Sequence, residues 1–293
     1  MRVLVTGATG FVGEALLELL GLHDVACIGR KRPVTLPDSV TWIDADLLKI
    51  DDSAQLEIER FSPECCVHLA WAGLPDYSLR MCLANLTAGI QLFHLLNKLG
   101  CRKIIGVGTC WEYGACTGQI QESFPGFELN LFAAHKTALR EIGQSLIKGA
   151  DRRFIWARIF FVYGARQRST SLIPSAHISI KRGEVPKINT LEAINDFVHV
   201  HDVASALLHL LENGDAIGTY NIGSGQPTSV AEVVNAIALQ MGRELPYLNP
   251  NLKLDNGFWA DINRLKSLGW KPVHTLRSGI GQVVSALESS YAN

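Results

Sequence analysis

The stretch "RVLVTGATGFVG" (residues 2–13) decides the fold. A strand-like apolar run leads into Gly7, Gly10 and Gly13, and a helix-like pattern follows. Glycines at this spacing permit a tight turn, close approach of the backbone to a pyrophosphate, and close packing of helix on strand. The N-terminus of the helix offers free N–H groups and a positive dipole end to the anion. The stretch therefore predicts a strand–turn–helix unit that binds a dinucleotide.

Strand-like and helix-like segments alternate through the first half of the chain. Runs such as "VACIG", "CCVHLAWAG", "KIIGVGTC" and "RFIWARIFFVYG" are strand-like, and helical spacing of apolar residues occurs between them. We predict helices at residues 12–20, 53–60, 79–99 and 130–147. Such alternation indicates a parallel sheet with helices on both faces. The predicted fold is α/β, a Rossmann-like, doubly wound parallel sheet.

The pattern changes after about residue 165. Helical segments dominate there, at residues 173–181, 203–211 and 230–241, with short extended pieces and a proline- and asparagine-rich connector at 244–254. We assign residues 1–165 to the dinucleotide-binding domain. Residues 166–293 are assigned mainly to a smaller, partly interleaved substrate-binding region, with residues of about 190–222 returning to the first domain.

The composition and charge of the chain indicate which kinds of binding partner to expect. The 293 residues are 47% hydrophobic, and 27 basic residues balance 28 acidic ones. Neither nucleic acid nor an anionic membrane is therefore an expected partner. No apolar run approaches the roughly 20 residues of a membrane span, and we expect a cytoplasmic protein.

The cysteines predict reduced thiols and no metal site. Seven cysteines are present, an odd number, without a CxxC pair. Cys65 and Cys66 lie near His68, but within a run that is typical of a buried strand. We therefore expect no zinc there.

The end of the second predicted strand selects the dinucleotide. An acidic residue at that place would bond the ribose hydroxyls of NAD, whereas "IGRKRP" supplies Arg30, Lys31 and Arg32. Guanidinium groups suit a 2'-phosphate and stack on adenine, so we predict NADP(H), with NAD less favoured. A solvated basic loop is the alternative. Asp46 and Leu47 suit the amino group and ring face of adenine, or else are loop and core residues.

Ten motifs in order resemble the extended short-chain dehydrogenase/reductases, in their group of nucleotide-sugar epimerases, dehydratases and reductases. They cover nearly the whole chain: "TGATGFVG", "DADL", "HLAWAG", "NLTAGIQLFHLL", "GVGTCWEYG", the Lys136 helix, "RIFFVYG", "NDFVHVHDVASALL", "YNIGSG" and "ADINRLKSLGWKP". The set "GTCWEYG", "TALRE" and "RIFFVYG" is most similar to bacterial NDP-4-keto-6-deoxyhexose reductases. The resemblance implies NADPH-dependent reduction of a nucleotide-linked 4-keto-6-deoxy sugar in deoxysugar and polysaccharide biosynthesis.

The resemblance also implies roles for individual residues. Thr109 corresponds to the residue that bonds the reacting oxygen, and Lys136 to the lysine that holds the nicotinamide ribose and tunes the proton donor. Further implied cofactor contacts are Thr9, Phe11, Val12, Leu69, Ala70, Ala72, Ile159 and Val162. Implied substrate contacts are Cys110, Trp111, Phe161, Arg166, Arg168 and Asn195. Trp111 either walls one face of the hexose or fills core space.

Phe132 occupies the position of the catalytic tyrosine. Phenylalanine exchanges no proton, and loss of a positioned donor costs on the order of 10² to 10⁴ in rate. Three interpretations stay open at this point. Another side chain is the proton donor, the protein binds cofactor and ligand without turnover, or phenylalanine is a deliberate inactivating replacement of a native tyrosine. The other groups with a suitable proton are Cys110, Glu112, Tyr77, His135 and His199.

The pattern favours reduction over dehydration. A dehydratase of this family has an Asp-Glu pair where Cys110 and Trp111 stand, so dehydration is disfavoured. An NAD(P)-dependent nucleotide-sugar epimerase and a non-catalytic dinucleotide-binding protein remain alternatives. Helices 79–99 and 130–147 resemble those that form a four-helix dimer interface in the family, so a homodimer is expected.

Overall fold

The structure, a computed structural model, describes residues 1–245 and 257–290. A seven-stranded sheet lies at its centre, in the order β3-β2-β1-β4-β5-β7-β11, with every neighbouring pair parallel. Its strands are β1 (Arg2–Thr6), β2 (Asp24–Gly29), β3 (Thr41–Asp44), β4 (Cys65–His68), β5 (Lys103–Thr109), β7 (Arg153–Ile159) and β11 (Gly218–Ile222). The inner strands are continuous runs of buried residues because helices cover both faces. The predicted fold class is confirmed.

Helices flank the sheet and extend beyond it. They are α1 (Phe11–Leu17), α2 (Asp52–Phe61), α3 (Leu79–Lys98), α4 (Leu131–Leu146), α5 (Leu172–Lys181), α6 (Val200–Glu212), α7 (Val230–Gln240), α8 (Asn263–Ser267) and α9 (Leu276–Ser290). Leu16 of α1 and Leu207 of α6 belong to one core, and Ile58, Phe93 and Leu139 of α2, α3 and α4 belong to the other. All the predicted helices are present, with ends that differ by at most three residues, whereas α8 and α9 were not predicted.

A third core lies in the C-terminal half. Ile173 of α5, Val233 and Ile237 of α7, and Ile280 of α9 pack together there. Short strands connect this part to the rest: β6 (Gly118–Ile120) pairs with β13 (Phe258–Ala260), β8 (Phe161–Tyr163) with β10 (Phe197–His199), and β9 (Ile194–Asn195) with β12 (Thr228–Ser229). The predicted connector at 244–254 lies mostly outside the described residues.

The run "RIFFVYG" is divided between two sheets, although the sequence predicted one strand. Phe160 N–H donates to the carbonyl of Ile222 in the main sheet, and Phe161 N–H donates to that of Asp196. The chain changes partner at this point because β11 ends and β10 takes over. The change of partner brings β8 and β10 to the carboxyl end of the main sheet.

Helix α3 departs from our expectation about apolar runs. By length and composition it is apolar enough to cross a membrane, the one such helix among residues 1–245 and 257–290. Leu92, Phe93 and Leu96 are nevertheless fully buried against the sheet. A core helix passes the same test, so the pattern is explained by packing within the fold.

Candidate active site

The sheet leaves a crevice at the carboxyl ends of β1 and β4. Strand order reverses between these two strands, and such a switch point is where open α/β sheets bind ligands. Thr6 ends β1 and pairs with His68 at the end of β4. Gly7 and Leu69 follow directly, so the glycine turn and the "LAWAG" loop meet at this edge.

The glycine turn has the geometry that a dinucleotide requires. Gly7 has φ of +72°, and a Cβ there would lie 2.7 Å from the amide nitrogen of Ala70. A Cβ on Gly13 would lie 2.2 Å from the carbonyl oxygen of Gly7. Gly10 is the N-cap of α1 and has no capping side chain, which leaves the first-turn amides for a phosphate. These residues therefore fit a bound dinucleotide.

The basic loop after β2 presents a free cation. Arg32 is held by its own loop, because it donates to the carbonyls of Pro37 and Val40. Arg30 and Lys31 are exposed and have no ion-pair partner among the described residues. Arg30 thus remains available for a 2'-phosphate. Asp46 is exposed and accepts a bond from Leu48 N–H, while Leu47 packs at the edge of the core.

A buried asparagine holds the "LAWAG" loop. Asn85 of α3 accepts from the N–H of Ala72 at 2.6 Å and donates to the carbonyls of Ala72 and Met81. Both backbone polar groups of Ala72 are therefore satisfied within the protein. Sequence analysis overlooked Asn85, although a polar residue on the apolar face of a helix was a usable signal.

The other predicted cofactor contacts lie around the same crevice. Leu69 N–H donates to the carbonyl of Thr6, and Ala70 follows in the loop. Ile159 ends β7, and Val162 lies in β8, where its carbonyl accepts from Gln167. The rest belong to the glycine turn and the first turn of α1: Thr9, Phe11 and Val12.

A 3-10 helix (Cys110–Tyr113) follows β5 directly, and Thr109 and Glu112 form a capping box at its N-terminus. Thr109 Oγ1 accepts from the N–H of Trp111, and Glu112 Oε1 accepts from the N–H of Thr109 at 2.9 Å. This reciprocal capping holds Thr109 at the carboxyl edge of the sheet. A side chain that bonds a reacting oxygen is well served by such a fixed backbone.

Glu112 is structural rather than catalytic. Its carboxylate is buried and accepts hydrogen bonds from Trp156 Nε1 at 2.9 Å and Arg158 Nε at 3.0 Å. Gly108 makes room for it, because a Cβ there would lie 2.1 Å from Glu112 Oε1. All its acceptor capacity faces the interior, so we exclude Glu112 as the proton donor.

Lys136 lies beneath position 132. Its Nζ donates to the carbonyl of Val107 at 2.8 Å and sits 4.2 Å from the ring centroid of Trp71. Burial lowers the pKa of Lys136 to about 7, against a smaller opposing effect of Glu112. The indole nitrogen of Trp71 is buried without a hydrogen-bond partner among the described residues.

Phe132 belongs to a cluster of four aromatic rings, with Trp71, Tyr77 and Trp111. Trp71 packs on one side with ring centroids 5.3 Å apart, and Tyr77 lies on another side at 5.2 Å. Trp111 contacts Phe132 at 6.0 Å and Tyr77 at 5.8 Å. Phe132 is 8% exposed, whereas Tyr77 and Trp111 are 40% and 37% exposed. Trp111 therefore does not fill the core, and its role as a wall of the hexose site stays a prediction.

Three of the other candidate proton donors are badly placed. Cys110 is buried in the larger core, and burial raises the pKa of its thiol well above the ordinary value. His135 bonds the carbonyl of Leu131 on its own helix. His199 stacks on His274 with centroids 4.1 Å apart, and burial lowers its pKa to about 4, so it is neutral at pH 7.

The predicted substrate contacts are only partly brought together. Phe161 lies against Phe197 and Phe258, next to the strand that carries Asn195. Arg166 turns away to Glu14 of α1, with Nη1 2.9 Å from the carboxylate. Arg168 is exposed. The side chains of Arg166 and Glu14 are both exposed, and such surface pairs are weak, so the predicted substrate contact of Arg166 stays a prediction.

The sequence matches the NAD dependent epimerase/dehydratase family over residues 3–223. This chain belongs to that family. Its matched segment contains the glycine turn, the 3-10 helix, position 132 and Lys136, and it ends just after β11. The family assignment therefore rests on the same residues that form the crevice.

Curated relatives within the family differ in their reactions. The chain is 24% identical to the dTDP-4-dehydro-6-deoxyglucose reductase of Escherichia coli, with 97% of each chain covered. It is 27% identical to the GDP-6-deoxy-D-mannose reductase of Pseudomonas aeruginosa, with 98% of this chain and 97% of that one covered. It is 26% identical to the dTDP-L-rhamnose 4-epimerase of Burkholderia thailandensis, with 96% and 93% covered.

Solved structures of the family superpose over the whole length. UDP-glucose 4-epimerase of Thermus thermophilus, in complex with NAD, matches with a TM-score of 0.83 at 23% identity, covering 99% of this chain and all of that one. MoeE5 in complex with UDP-glucuronic acid and NAD matches with a TM-score of 0.83 at 26% identity and the same coverage. A nicotinamide dinucleotide site is thus a property of this fold and family.

Proposed function

We propose that this protein reduces a nucleotide-linked 4-keto-6-deoxy sugar with NADPH. The observation that carries the proposal lies at position 132. Phe132 contacts Trp111, which belongs to the 3-10 helix that Thr109 caps, and Lys136 Nζ lies 5.8 Å from the ring centroid of Phe132. Reductases of such sugars are among the relatives that align over nearly the full chain. NADPH is the cofactor of choice because Arg30 is exposed and unpaired among the described residues.

Each residue of the crevice has a task in this reaction. The reduced nicotinamide supplies the hydride. Thr109 Oγ1 bonds the carbonyl oxygen of the sugar and polarises it, and Lys136 Nζ holds the nicotinamide ribose. The glycine turn binds the pyrophosphate, Arg30 binds the 2'-phosphate, and Trp111 covers one face of the hexose.

An epimerase is the second candidate, because a relative and several structural neighbours are epimerases. An epimerase regenerates its dinucleotide in each cycle and consumes none. Net oxidation of NADPH therefore separates the two reactions. Phe132 supports a third candidate, a binding protein without turnover, since its ring holds no exchangeable proton.

The test follows NADPH oxidation by the nicotinamide absorbance with 4-keto-6-deoxyhexoses linked to dTDP, CDP and GDP. The chain and Phe132→Tyr are compared side by side. Turnover by at least one of them supports reduction. If neither chain oxidises NADPH but sugars are interconverted at a constant NADPH concentration, the result supports the epimerase. If neither NADPH oxidation nor sugar interconversion occurs, the result supports the binding protein.

The assembly and the location are also proposals. Leu79 and Leu83 of α3 and Leu131 of α4 are exposed apolar side chains on the helices that resemble the family's dimer interface. We expect a cytoplasmic homodimer through these helices, with residues 166–293 closing mainly over the sugar nucleotide. Light scattering tests the dimer, and a monomer at micromolar concentration would contradict it.

A further inference from the structure

The aromatic cluster at position 132 contains one phenol. Tyr77, Trp111 and Phe132 are in mutual contact, with centroid distances of 5.2, 5.8 and 6.0 Å. Phe132 is the buried floor of this cluster, while Tyr77 and Trp111 face solvent. The phenol of Tyr77 is therefore in ring contact with Phe132, the residue at the position of the catalytic tyrosine.

The loop that carries Tyr77 is well fixed. Asp76 accepts from the N–H of Ser78 at 2.8 Å, and Ser78 Oγ accepts from Met81 N–H to cap α3. Asn85 anchors the start of the same loop at Ala72. Tyr77 thus directly precedes Ser78, the N-cap of the 20-residue helix α3.

We infer that Tyr77 is the proton donor of this enzyme in place of the residue at position 132. The inference rests on the proposed reduction. Of the five alternative groups, Glu112, Cys110, His135 and His199 are committed or misplaced, and Tyr77 alone meets the ring of Phe132.

The step balances with the groups named. Hydride from the reduced nicotinamide adds to the carbonyl carbon of the sugar. The Tyr77 Oη–H bond breaks and its proton joins the carbonyl oxygen, which gives the alcohol and a phenolate. Solvent then returns a proton to Tyr77, whose side chain is 40% exposed. Lys136 is buried, and its Nζ lies 5.8 Å from the centroid of Phe132.

The first test uses Tyr77→Phe, Phe132→Tyr and the double variant, with Tyr220→Phe as a matched loss of hydroxyl away from the crevice. If Tyr77 is the donor, the parent chain turns over and Tyr77→Phe lowers kcat by about 10²-fold or more. The double variant recovers activity because the hydroxyl returns at position 132, and Tyr220→Phe keeps the parent rate.

Three results overturn the inference. Tyr77→Phe that retains the parent rate removes Tyr77 as the donor and leaves the reductase proposal intact. A parent chain without turnover that gains activity from Phe132→Tyr also removes Tyr77 as the donor and leaves the reductase proposal intact. Silence of every variant toward all keto sugars removes the proposed reduction, and the role of Tyr77 falls with it.

A second readout needs no turnover. Nitration of Tyr77 by tetranitromethane, measured by peptide mass spectrometry, is compared with and without saturating dTDP-glucose or UDP-glucose. A phenol that lies against the sugar is protected by at least one of these probes. If neither sugar nucleotide lowers the nitration of Tyr77 below its level without ligand, the inference is overturned, because Tyr77 would then not face the sugar site.

Discussion

The carboxylate of Glu112 lies 3.0 Å from Arg158 Nε, and both side chains are buried. This ion pair sits directly below Thr109, whose N–H bonds the same carboxylate. The pair thus links the interior of the sheet to the residue that holds the substrate oxygen in the proposed reaction.

Glu112→Gln is expected to destabilise the fold strongly. The change leaves the guanidinium of Arg158 buried without its counter-charge, and breaking a buried pair in this way costs about 3–5 kcal/mol. Chemical denaturation measures the loss. Glu57→Gln on the exposed face of α2 is the control and should change the free energy of unfolding by under about 0.5 kcal/mol. Equal effects of the two variants would show that the pair is not important for stability.

Gly13→Ala is expected to spoil the dinucleotide turn. Its Cβ would lie 2.2 Å from the carbonyl oxygen of Gly7, so the backbone must move. Overpacking of this kind costs about 1–3 kcal/mol, and the free energy of unfolding and the affinity for NADPH should both fall. Calorimetric titration measures the affinity. Gly21→Ala is the control, since a Cβ there meets no atom within 4 Å; loss of binding by this variant too would contradict the explanation.

Arg30→Ala is expected to weaken binding of NADPH and spare that of NADH. A bond to a charged group contributes about 1.5–3 kcal/mol, or roughly 10- to 100-fold in affinity. Only the phosphorylated dinucleotide has the group that Arg30 would bind. Arg60→Ala removes an equal charge from the exposed end of α2 and should alter neither affinity. A parallel loss for both dinucleotides after Arg30→Ala would argue against a 2'-phosphate contact.

His68 is expected to make stability depend on pH below neutrality. Burial, and secondarily the charge of Lys136, lower its pKa from 6.5 to about 3. Between these values the unfolded chain binds a proton that the folded protein does not, so the stability falls as the pH falls from about 6.5 to about 3. The contribution is about 1.4 kcal/mol per pH unit in that window.

His68→Gln should remove this part of the slope. Denaturation at several pH values measures it, with the parent chain as reference because other groups titrate in both proteins. His94→Gln on the exposed face of α3 shows what the substitution itself does at pH 7. A slope equal to that of the parent chain would mean that His68 gains its proton without unfolding.

Much of the fold could be read from local patterns. Short continuous apolar runs identify the strands, because both faces of the sheet are covered, and stretches of period near 3.6 identify the helices, because one face of each is buried. The glycine turn could be predicted from residues 2–13 alone, since the positive φ of Gly7 and the close contact of Gly13 with the Gly7 carbonyl are local, whereas the close approach of Ala70 to Gly7 depends on the remote "LAWAG" loop. The split of "RIFFVYG" was missed because the change of partner at Phe160 depends on β10 and β11, which are remote in sequence.

By itself the sequence determined the α/β class, the dinucleotide turn, the family, and the fact that position 132 has no hydroxyl. Only the tertiary structure decided which partners the other polar side chains have. It put Glu112 into a buried ion pair, Arg166 against Glu14, and Tyr77 against Phe132. The reason is physical: covalent spacing fixes local conformation, whereas burial and ionic partners depend on which remote segments the folded sheet brings together.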